Sequence, residues 1–398
     1  MQPCVLITLG RLPKSLDLAR SFKRLGYRVI VAEPFRWHLT RTSNVVSKCY
    51  QVVSPAINRE QFLTELCDIV VKENVTLVVP ISEEIIHVSF LRERLARLEN
   101  HSVKLYAMPS EQLLRLHHKY QFIDVCREAG VAAPETVLLS DVKAAGTLAN
   151  QYDTIIKPIF SCSGRGVIFR QCGEPLPIDD KNSPAILQRW VHGNVLSTFS
   201  IAHEGRALTT VVYRGILMSG TVAVAFERVI EDDTQHHAVM AWVDKFIHAA
   251  AFSGFISFDL VVDSQGHAHG IECNPRATSG LHFIDTRDLA NAVINPTTAQ
   301  AIRFRDEKQL QQFYPALTEV QKSMFTSRFR HNLLTLWRAK DVTWSWRDPM
   351  PFITMPFTAS QIIWLAIKRG TTFGEVATLD VGWYDSGQNS SIDGRFKP

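Results

Sequence analysis

Apolar and polar positions change their spacing regularly along residues 1–110. Short apolar runs of strand length alternate with stretches in which apolar residues recur every three or four positions, as in an amphipathic helix. The runs predict strands at residues 4–9, 27–32 and 76–80, and the helical spacing predicts helices at 14–25, 60–73 and 84–98. Because strands that alternate with helices form parallel sheets, we expect a Rossmann-like domain here.

The strand ends of this domain supply the first candidate site residues. The Gly-rich dinucleotide fingerprint is missing, because the loop after the first strand has a single glycine, Gly10. In open parallel sheets, ligands bind beyond the carboxyl ends of the strands. Glu33 follows the second predicted strand, and Ser82 and Glu83 follow a later one, so all three are substrate-site candidates. For Ser82 and Glu83, a helix N-cap with acidic first-turn residues explains the pattern equally well.

Residues 111–300 predict a mixture of helices and β-rich segments. Helices are predicted at 111–129 and 237–252, and strands at 154–157, 186–191, 197–202, 207–213 and 221–227. The composition shifts near residue 300. Beyond it, an amphipathic helix is predicted at 319–339, and residues 341–356 are rich in Trp and Pro.

The segment SFDLVVDSQGHAHGIECNPR, residues 257–276, predicts a β-hairpin with a carboxylate on each arm. An X-Gly pair between two β-rich runs is a strong hairpin signal, because glycine accepts positive φ. With Gln265 and Gly266 as a two-residue loop, Asp259 lies directly opposite Glu272. Two like charges opposed across strands are destabilising unless something bridges them, and a bound cation is a natural bridge.

Alternation along this hairpin predicts one apolar face and one polar face. The apolar face holds Phe258, Leu260, Val262, Ile271 and Cys273, and the polar face holds Ser257, Asp259, Gly270, Glu272 and Asn274. Oxygen ligands without His or Cys favour Mg²⁺, with Mn²⁺ as a substitute, over Zn²⁺. We therefore predict that Asp259, Glu272 and Asn274 bind the metal; a solvated polar face is the alternative.

A second motif, IIKPIFSCSGRGV at residues 155–167, predicts contacts to phosphate. A strand delivers Lys157 to its end, and a Ser/Gly-rich loop follows with Ser161, Ser163, Gly164 and Gly166. Short residues and glycines let backbone N–H groups approach phosphate oxygens, and the lysine adds a point charge. The order of a P-loop is absent. By itself the motif is typical of a surface turn, but together with the metal hairpin it indicates a Mg²⁺–nucleotide site.

The lysine strand, the Gly-rich loop, a linker strand and a hairpin ending in E-x-N-P-R make the chain resemble the ATP-grasp superfamily over about residues 1–300. The resemblance implies an α/β and α+β architecture and ATP as cofactor. We expect a Rossmann-like domain at 1–110, a small ATP-grasp subdomain at 111–185, a large one at 186–300 and a C-terminal helical extension at 301–398.

The resemblance also implies roles for individual residues. Lys119 and Lys157 match the two phosphate-binding lysines, and Arg276 matches the arginine that stabilises the transferring phosphate or the acyl-phosphate. Adenine binding through backbone groups is implied for the linker-strand residues Gln188, Arg189, Trp190 and Val191. Two positions depart from the family pattern: Asn194 replaces the usual ribose-binding carboxylate, and His118 replaces the usual acidic residue before the first lysine.

The activity that this resemblance implies is ATP-dependent joining of a small-molecule carboxylate to an amine or amino acid. Segments such as GFISFDLVV also look like the mycosporine-glycine-forming ligases, which would make the activated group a vinylogous acid. A phosphotransferase that stops at a phosphorylated product, and a non-catalytic ATP-binding module, are the alternatives. Glu83 and His282 are candidate general bases, although a lone histidine is usually structural.

Composition and charge limit the further binding partners and the cellular location that we expect. A net charge of +4 over 398 residues, without basic runs that carry interleaved aromatics, gives no reason to expect nucleic acid. Seven scattered cysteines without CxxC pairs, and an N-terminus without a basic leader, favour a reducing cytoplasm. We expect no transmembrane segment, because the best apolar run, 353–367, is short and contains Pro356. The aromatic residues of the C-terminal region are expected to pack in the core or in a homodimer interface.

Overall fold

The computed structural model describes residues 2–98, 102–161, 164–177, 184–230, 233–297, 301–370 and 373–383. In its N-terminal part, the strands are β1 (Cys4–Thr8), β2 (Arg28–Glu33), β3 (Lys48–Gln51), β4 (Leu77–Pro80) and β5 (Lys104–Leu105). The helices are α1 (Pro13–Arg24), α2 (Arg59–Lys72), α3 (Ile85–Ser89) and α4 (Leu91–Ala96), with a 3-10 turn at Leu39–Thr42. All strand pairs are parallel, in the order β3-β2-β1-β4-β5. This is the predicted Rossmann-like sheet.

A second, antiparallel sheet follows in the order β6-β9-β7-β8. Its elements are α5 (Ser110–His117), α6 (Lys119–Glu128), β6 (Thr136–Leu138), α7 (Val142–Gln151), β7 (Thr154–Pro158), β8 (Ile168–Arg170) and β9 (Ala185–Arg189). The predicted helix 111–129 is broken at His118, whose backbone is extended with ψ of 106°. The His118 ring accepts the Gln121 N–H at 3.3 Å, which caps α6 and places Lys119 at its start.

The third sheet is the largest and has the order β14-β13-β10-β11-β12-β15-β16. Its strands are β10 (Gly193–His203), β11 (Arg206–Ser219), β12 (Val222–Arg228), β13 (Gly254–Asp263), β14 (Ala268–Asn274), β15 (Gln309–Gln311) and β16 (Lys340–Asp341). The associated helices are α8 (Thr234–Ala249) and α9 (Leu289–Ile294), with a 3-10 turn at Ser279–Phe283. One face shares a hydrophobic core with the N-terminal sheet, where Phe199 and Phe255 pack with residues such as Val5 and Val79.

The C-terminal region is helical, with α10 (Phe313–Lys322), α11 (Phe329–Arg338), α12 (Met350–Thr358), α13 (Ser360–Arg369) and α14 (Phe373–Leu379). The single helix predicted at 319–339 is wrong, because residues 323–328 separate α10 from α11. The region also contributes β15 and β16 to the large sheet. The predicted α/β and α+β architecture with a helical extension is confirmed. The domain boundaries stay a prediction; the one at 185/186 falls inside β9, which belongs to the small sheet.

The end of the described chain docks on the N-terminal domain. Arg11 donates to Asp380 at 2.6 Å and to Glu33 at 2.8 Å, and all three side chains are buried. Trp383 stacks on Phe90 with ring centroids 5.9 Å apart. These buried ion pairs link the loop after β1 to Asp380, which directly follows α14.

His87 sits in this docking contact and makes it pH-dependent. Its Nε2 pairs with the Gly382 carbonyl at 3.1 Å, while its buried Nδ1 has no hydrogen-bond partner in the described residues. Burial lowers the pKa of His87 to about 4, against an ordinary value near 6.5. Between pH 6.5 and about pH 4, His87 is protonated in the unfolded chain but stays neutral in the folded protein. The free energy of unfolding therefore decreases as the pH falls through this range.

We expect the protonation of His87 in the unfolded chain to lower the free energy of unfolding by roughly 2–3 kcal/mol when the pH is lowered from 6.5 to 4.5. Urea unfolding of wild type and His87→Gln at both pH values measures it, because the variant should lose less stability on acidification. His192→Gln, at an exposed histidine, is the control. Equal pH slopes in wild type and His87→Gln would contradict the assignment.

One segment of the described chain, Met350–Arg369, is long and apolar enough to cross a membrane by length and composition. It comprises α12 and α13 with Pro356 inside the first helix. Phe352 packs on Phe313 and Trp344, with centroids 5.5 and 5.3 Å away, which agrees with the expected aromatic packing. Other apolar side chains of the segment, including Phe357 and Ile367, are exposed.

Candidate functional site

The predicted hairpin is present, and Asp259 pairs with Glu272 as predicted. The loop, however, is longer than predicted: Asp263 N–H donates to the His267 carbonyl, so residues 264–266 lie between these two hydrogen-bonded residues. Gly266, at φ +83°, is the left-handed residue that such a loop requires. A β-bulge at Ile271 then takes up one residue on the return strand. The two deviations cancel, and the carboxylates come into register.

Because of the bulge, two residues lie on the face opposite to the one predicted for them. Gly270 lies on the core face, since a Cβ there would stand 2.3 Å from the Trp242 ring. Ile271 lies on the site side and lines the cavity described below. The core face is anchored by Phe258, whose ring centroid is 4.8 Å from that of Phe246. This packing directs Asp259 to the opposite face.

The two carboxylates and Asn274 form an oxygen-rich cluster. Ser197 Oγ donates to Asp259 Oδ1 at 2.6 Å, and Asn274 Nδ2 lies 3.4 Å from Asp259 Oδ2. Burial and, second, the charge of Glu272 together raise the pKa of Asp259 to about 6. No three His, Cys, Asp or Glu side chains cluster within the described ranges. Mg²⁺ commonly takes one or two carboxylates and completes its shell with phosphate and water, so this donor set fits it.

Both predicted lysines lie beside this cluster. Lys119 Nζ is 3.4 Å from Glu272 Oε1 and donates to the Ser161 carbonyl at 2.8 Å. Lys157 Nζ donates to Gln188 Oε1 at 2.8 Å and lies 3.5 Å from the Ile271 carbonyl. Burial lowers the pKa of Lys157 to about 8. Such a buried ammonium gains free energy when an anion binds next to it.

The Gly-rich loop folds towards the large sheet. Gly164 has φ of +67°, and a Cβ there would lie 2.8 Å from the Thr221 side chain. Gly166, at φ +70°, is equally close to Pro158. Glycine is therefore needed at both positions, for conformation and for space. Ser163 lies outside the described residues.

The predicted linker strand is β9, an interior strand of the small sheet rather than an edge. The Arg189 N–H donates to the Glu135 carbonyl and the Trp190 N–H to the Asp153 carbonyl, both at 2.8 Å. A base cannot use those two N–H donors, so a donor to the predicted adenine would come from the Val191 N–H, just beyond the strand. Asn194 lies on β10, where its amide donates to Gln235 at 3.3 Å.

Arg276 is fixed by the N-terminal domain. Its Nη2 lies 2.6 Å from Glu83 Oε1 and donates to Asn274 Oδ1 at 3.0 Å. Burial alone would raise the pKa of Glu83, but Arg276 and His117 outweigh it and lower the pKa to about 2. The structure thus brings Glu83 to the hairpin as an ionised partner of Arg276. Ser82 lines the cavity described below and accepts a hydrogen bond from Lys14 at 3.2 Å.

The prediction that Glu33 is a substrate residue is contradicted by its contacts. Its carboxylate accepts from the backbone N–H groups of Gly10, Arg11 and Phe35 and pairs with the Arg11 side chain. The side chain is completely buried and does not line the cavity. Glu33 instead fixes the loop after β1.

His282 lies on the cavity wall, held by a residue that the sequence did not point to. Its Nδ1 is 2.7 Å from Asp17 Oδ2, and both side chains are buried. Asp17 also pairs with Arg305 at 2.9 Å. Burial tends to raise the pKa of Asp17, but Arg305 and His282 lower it, so the carboxylate stays ionised.

These groups converge on one cavity of about 620 Å³ between the N-terminal domain, the large sheet and α14. Its lining includes Lys14, Ser82, Gly164, Asp259, Glu272, Asn274, Arg276, His282 and Phe373. This volume suits a ligand of drug-like size. Lys119 and Lys157 contact two of the lining residues, Glu272 and Ile271. The fold and the site together indicate a nucleotide-binding class of protein, with the carboxylate hairpin on one wall of the cavity.

Residues 116–280 match the model of the ATP-grasp domain. The chain therefore contains an ATP-grasp domain, as predicted. Its fold is similar to that of N5-carboxyaminoimidazole synthetase from Staphylococcus aureus in complex with ADP. The TM-score is 0.58 at 15% identity, covering 76% of this chain and 80% of that one.

Two other solved structures have similar folds. L-amino acid ligase from Bacillus licheniformis gives a TM-score of 0.57 at 13% identity, with 74% and 75% of the two chains covered. Biotin carboxylase from Campylobacter jejuni gives 0.60 at 14% identity, with 76% and 74% covered. At these identities the similarity establishes the fold alone.

Proposed function

We propose that this protein is an ATP-dependent ligase that joins a carboxylate, or a vinylogous acid, to an amine through an acyl-phosphate. The main observation that supports this proposal is that Asp259, Glu272 and Asn274 lie together with two lysines and Arg276 around one cavity. The names of the three similar proteins, a synthetase, a ligase and a carboxylase, agree with such chemistry.

The hairpin oxygens would hold the metal. Bound Mg²⁺ would neutralise negative charge on the reacting phosphates of ATP. Asp259 and Glu272 supply the negative charge that attracts it, and Ser197 keeps the Asp259 carboxylate oriented. Asn274 adds a neutral oxygen that Arg276 polarises.

The cationic side chains have distinct tasks in this proposal. Lys119 and Lys157 offset phosphate charge, and Lys157 is already buried where an anion would be most strongly attracted. The acid attacks the γ-phosphorus, ADP leaves, and the amine then displaces phosphate from the acyl carbon. Arg276, immobilised by Glu83, would stabilise the oxyanion formed at that carbon, since its guanidinium needs no reorganisation.

We assign His282 as the proton acceptor for the attacking amine. Ionised Asp17 holds Nδ1–H, which leaves Nε2 as the basic nitrogen on a cavity-lining ring. We expect His282→Asn to lower kcat by about a hundredfold, a usual loss for a general base. The acidic limb of the pH–rate profile should disappear, while KM for ATP stays unchanged. His248→Asn, at an exposed helix position, is the control; an intact acidic limb in His282→Asn would refute the role.

The test of the function is an ADP-release screen of candidate acids against pooled amino acids, with mass analysis of the products. Amine-dependent ADP release with a coupled product supports a ligase. A phosphorylated product formed without amine would make the protein a phosphotransferase, and ATP binding without turnover would make it a binding module. We place the reaction in the cytoplasm, where ATP is available; a homodimer stays a prediction.

A further inference from the structure

A second cavity of about 590 Å³ lies beside the catalytic one, in the C-terminal helical region. Its walls come from α10, α12, α13 and the start of α1. The lining is dominated by apolar residues: Leu12, Leu39, Tyr314, Leu317, Met355, Ile362, Ile363, Ala366, Ile367 and Phe373. The catalytic chemistry described above uses none of these residues.

The two cavities are neighbours with common walls. Leu12, Pro13, Gln312 and Phe373 line both of them. The two cavities are therefore adjacent, with these four side chains between them. The next residue along α1 is Lys14, a buried cation that lines the catalytic side.

Three polar or charged side chains of the apolar cavity are bound to other residues. Arg11 is bound by Glu33 and Asp380, and the Ser219 hydroxyl donates to Glu319 at 2.7 Å. Lys322 pairs with the same glutamate at 2.8 Å. The cavity thus offers apolar surface and little hydrogen bonding, so an alkyl chain displaces water from it favourably.

The cavity also has an apolar rim. Ile363 and Ile367 line it and are 41% and 76% exposed. A long apolar chain can therefore enter from outside without crossing a polar barrier. Single exposed apolar residues are common, but here they continue the lining of a cavity.

We propose that the acid substrate of this enzyme carries a long alkyl chain, which lies in the apolar cavity while its carboxylate lies near Lys14 and Arg276. The inference rests on the proposed ligase function and specifies its substrate class, a fatty-acid-like carboxylate. Each buried methylene should tighten binding about fourfold. Acetate, which cannot reach the cavity, should be a poor substrate, and octanoate and dodecanoate progressively better ones.

The test combines turnover with direct binding. ADP release is measured with acetate, octanoate and dodecanoate, and displacement of 1-anilinonaphthalene-8-sulfonate by dodecanoate is followed without ATP. Ala359→Trp fills the cavity from its lining and should raise KM for dodecanoate at least tenfold without changing KM for ATP. Gln361→Trp, exposed on the next helix and outside the lining, is the matched control. If Ala359→Trp is unstable, Ile363→Asp places a charge in the same lining at a partly exposed position.

The two proposals fail separately. No ADP release with any acid, but displacement in wild type that Ala359→Trp abolishes, would overturn the ligase function and leave the alkyl site standing. Equal KM values for acetate and dodecanoate would overturn the alkyl site and leave the ligase. Displacement by dodecanoate that is equally strong in wild type, Ala359→Trp and Ile363→Asp would also overturn the alkyl site.

Discussion

Glu272→Gln is expected to reduce ADP formation about a thousandfold, the upper range for loss of one charged group at a transition state. The variant should fold normally. In the metal-free protein, removing the Glu272 charge relieves its repulsion with Asp259 across the strands but also removes the ion-pair partner of Lys119, so the thermal midpoint should change little. The pKa of Asp259, now about 6 through burial and the Glu272 charge, should fall in the variant.

The control for this variant is Asp263→Asn, on the same hairpin but beside the loop, where it pairs with His269 at 2.9 Å. It should keep wild-type turnover. ADP release and Mg²⁺ dependence of both variants are measured side by side. Wild-type turnover in Glu272→Gln, or full activity in excess chelator, would remove the hairpin from the site.

Lys157→Met is expected to raise KM for ATP by about 10- to 100-fold, the loss expected for a hydrogen bond to a charged group. Methionine replaces the buried stem without a charge, and Gln188 keeps its hydrogen bond to Thr136 at 3.0 Å. Stability should therefore hold. Lys143→Met, at an exposed position on α7, tests whether loss of any positive charge on the small subdomain has the same effect. Equal KM values for ATP in Lys157→Met and Lys143→Met would contradict phosphate binding by Lys157.

The local sequence pattern was sufficient to predict that the two carboxylates pair, but it did not predict the β-bulge that brings them into register. Alternation and a glycine turn placed Asp259 opposite Glu272. The bulge that makes this possible depends on the Gly270 N–H reaching the Ala132 carbonyl at 3.0 Å and on Trp242 filling the space over Gly270. Those partners lie far away in the chain, so periodicity along one strand cannot reveal them.

The N-terminal candidates show the same limit. Glu33 and Glu83 both follow parallel strands, so their positions in the sequence predicted both equally as substrate-site residues. Arg11 forms an ion pair with Glu33, while Arg276 forms one with Glu83. Asp17 carried no signal as a site residue, since its histidine partner is 265 residues away. The break at His118 was likewise hidden, because the residues around it all tolerate a helix.

The contact between Arg11 and Asp380 joins residues 369 positions apart. It holds α14, which forms part of the catalytic cavity wall, against the first loop of the chain. During synthesis the lysines and the carboxylate hairpin are therefore complete long before that wall can exist. A growing chain can bring the lysines and the hairpin together early, but the cavity gains its remaining wall only when α14, the last helix of the described residues, has docked.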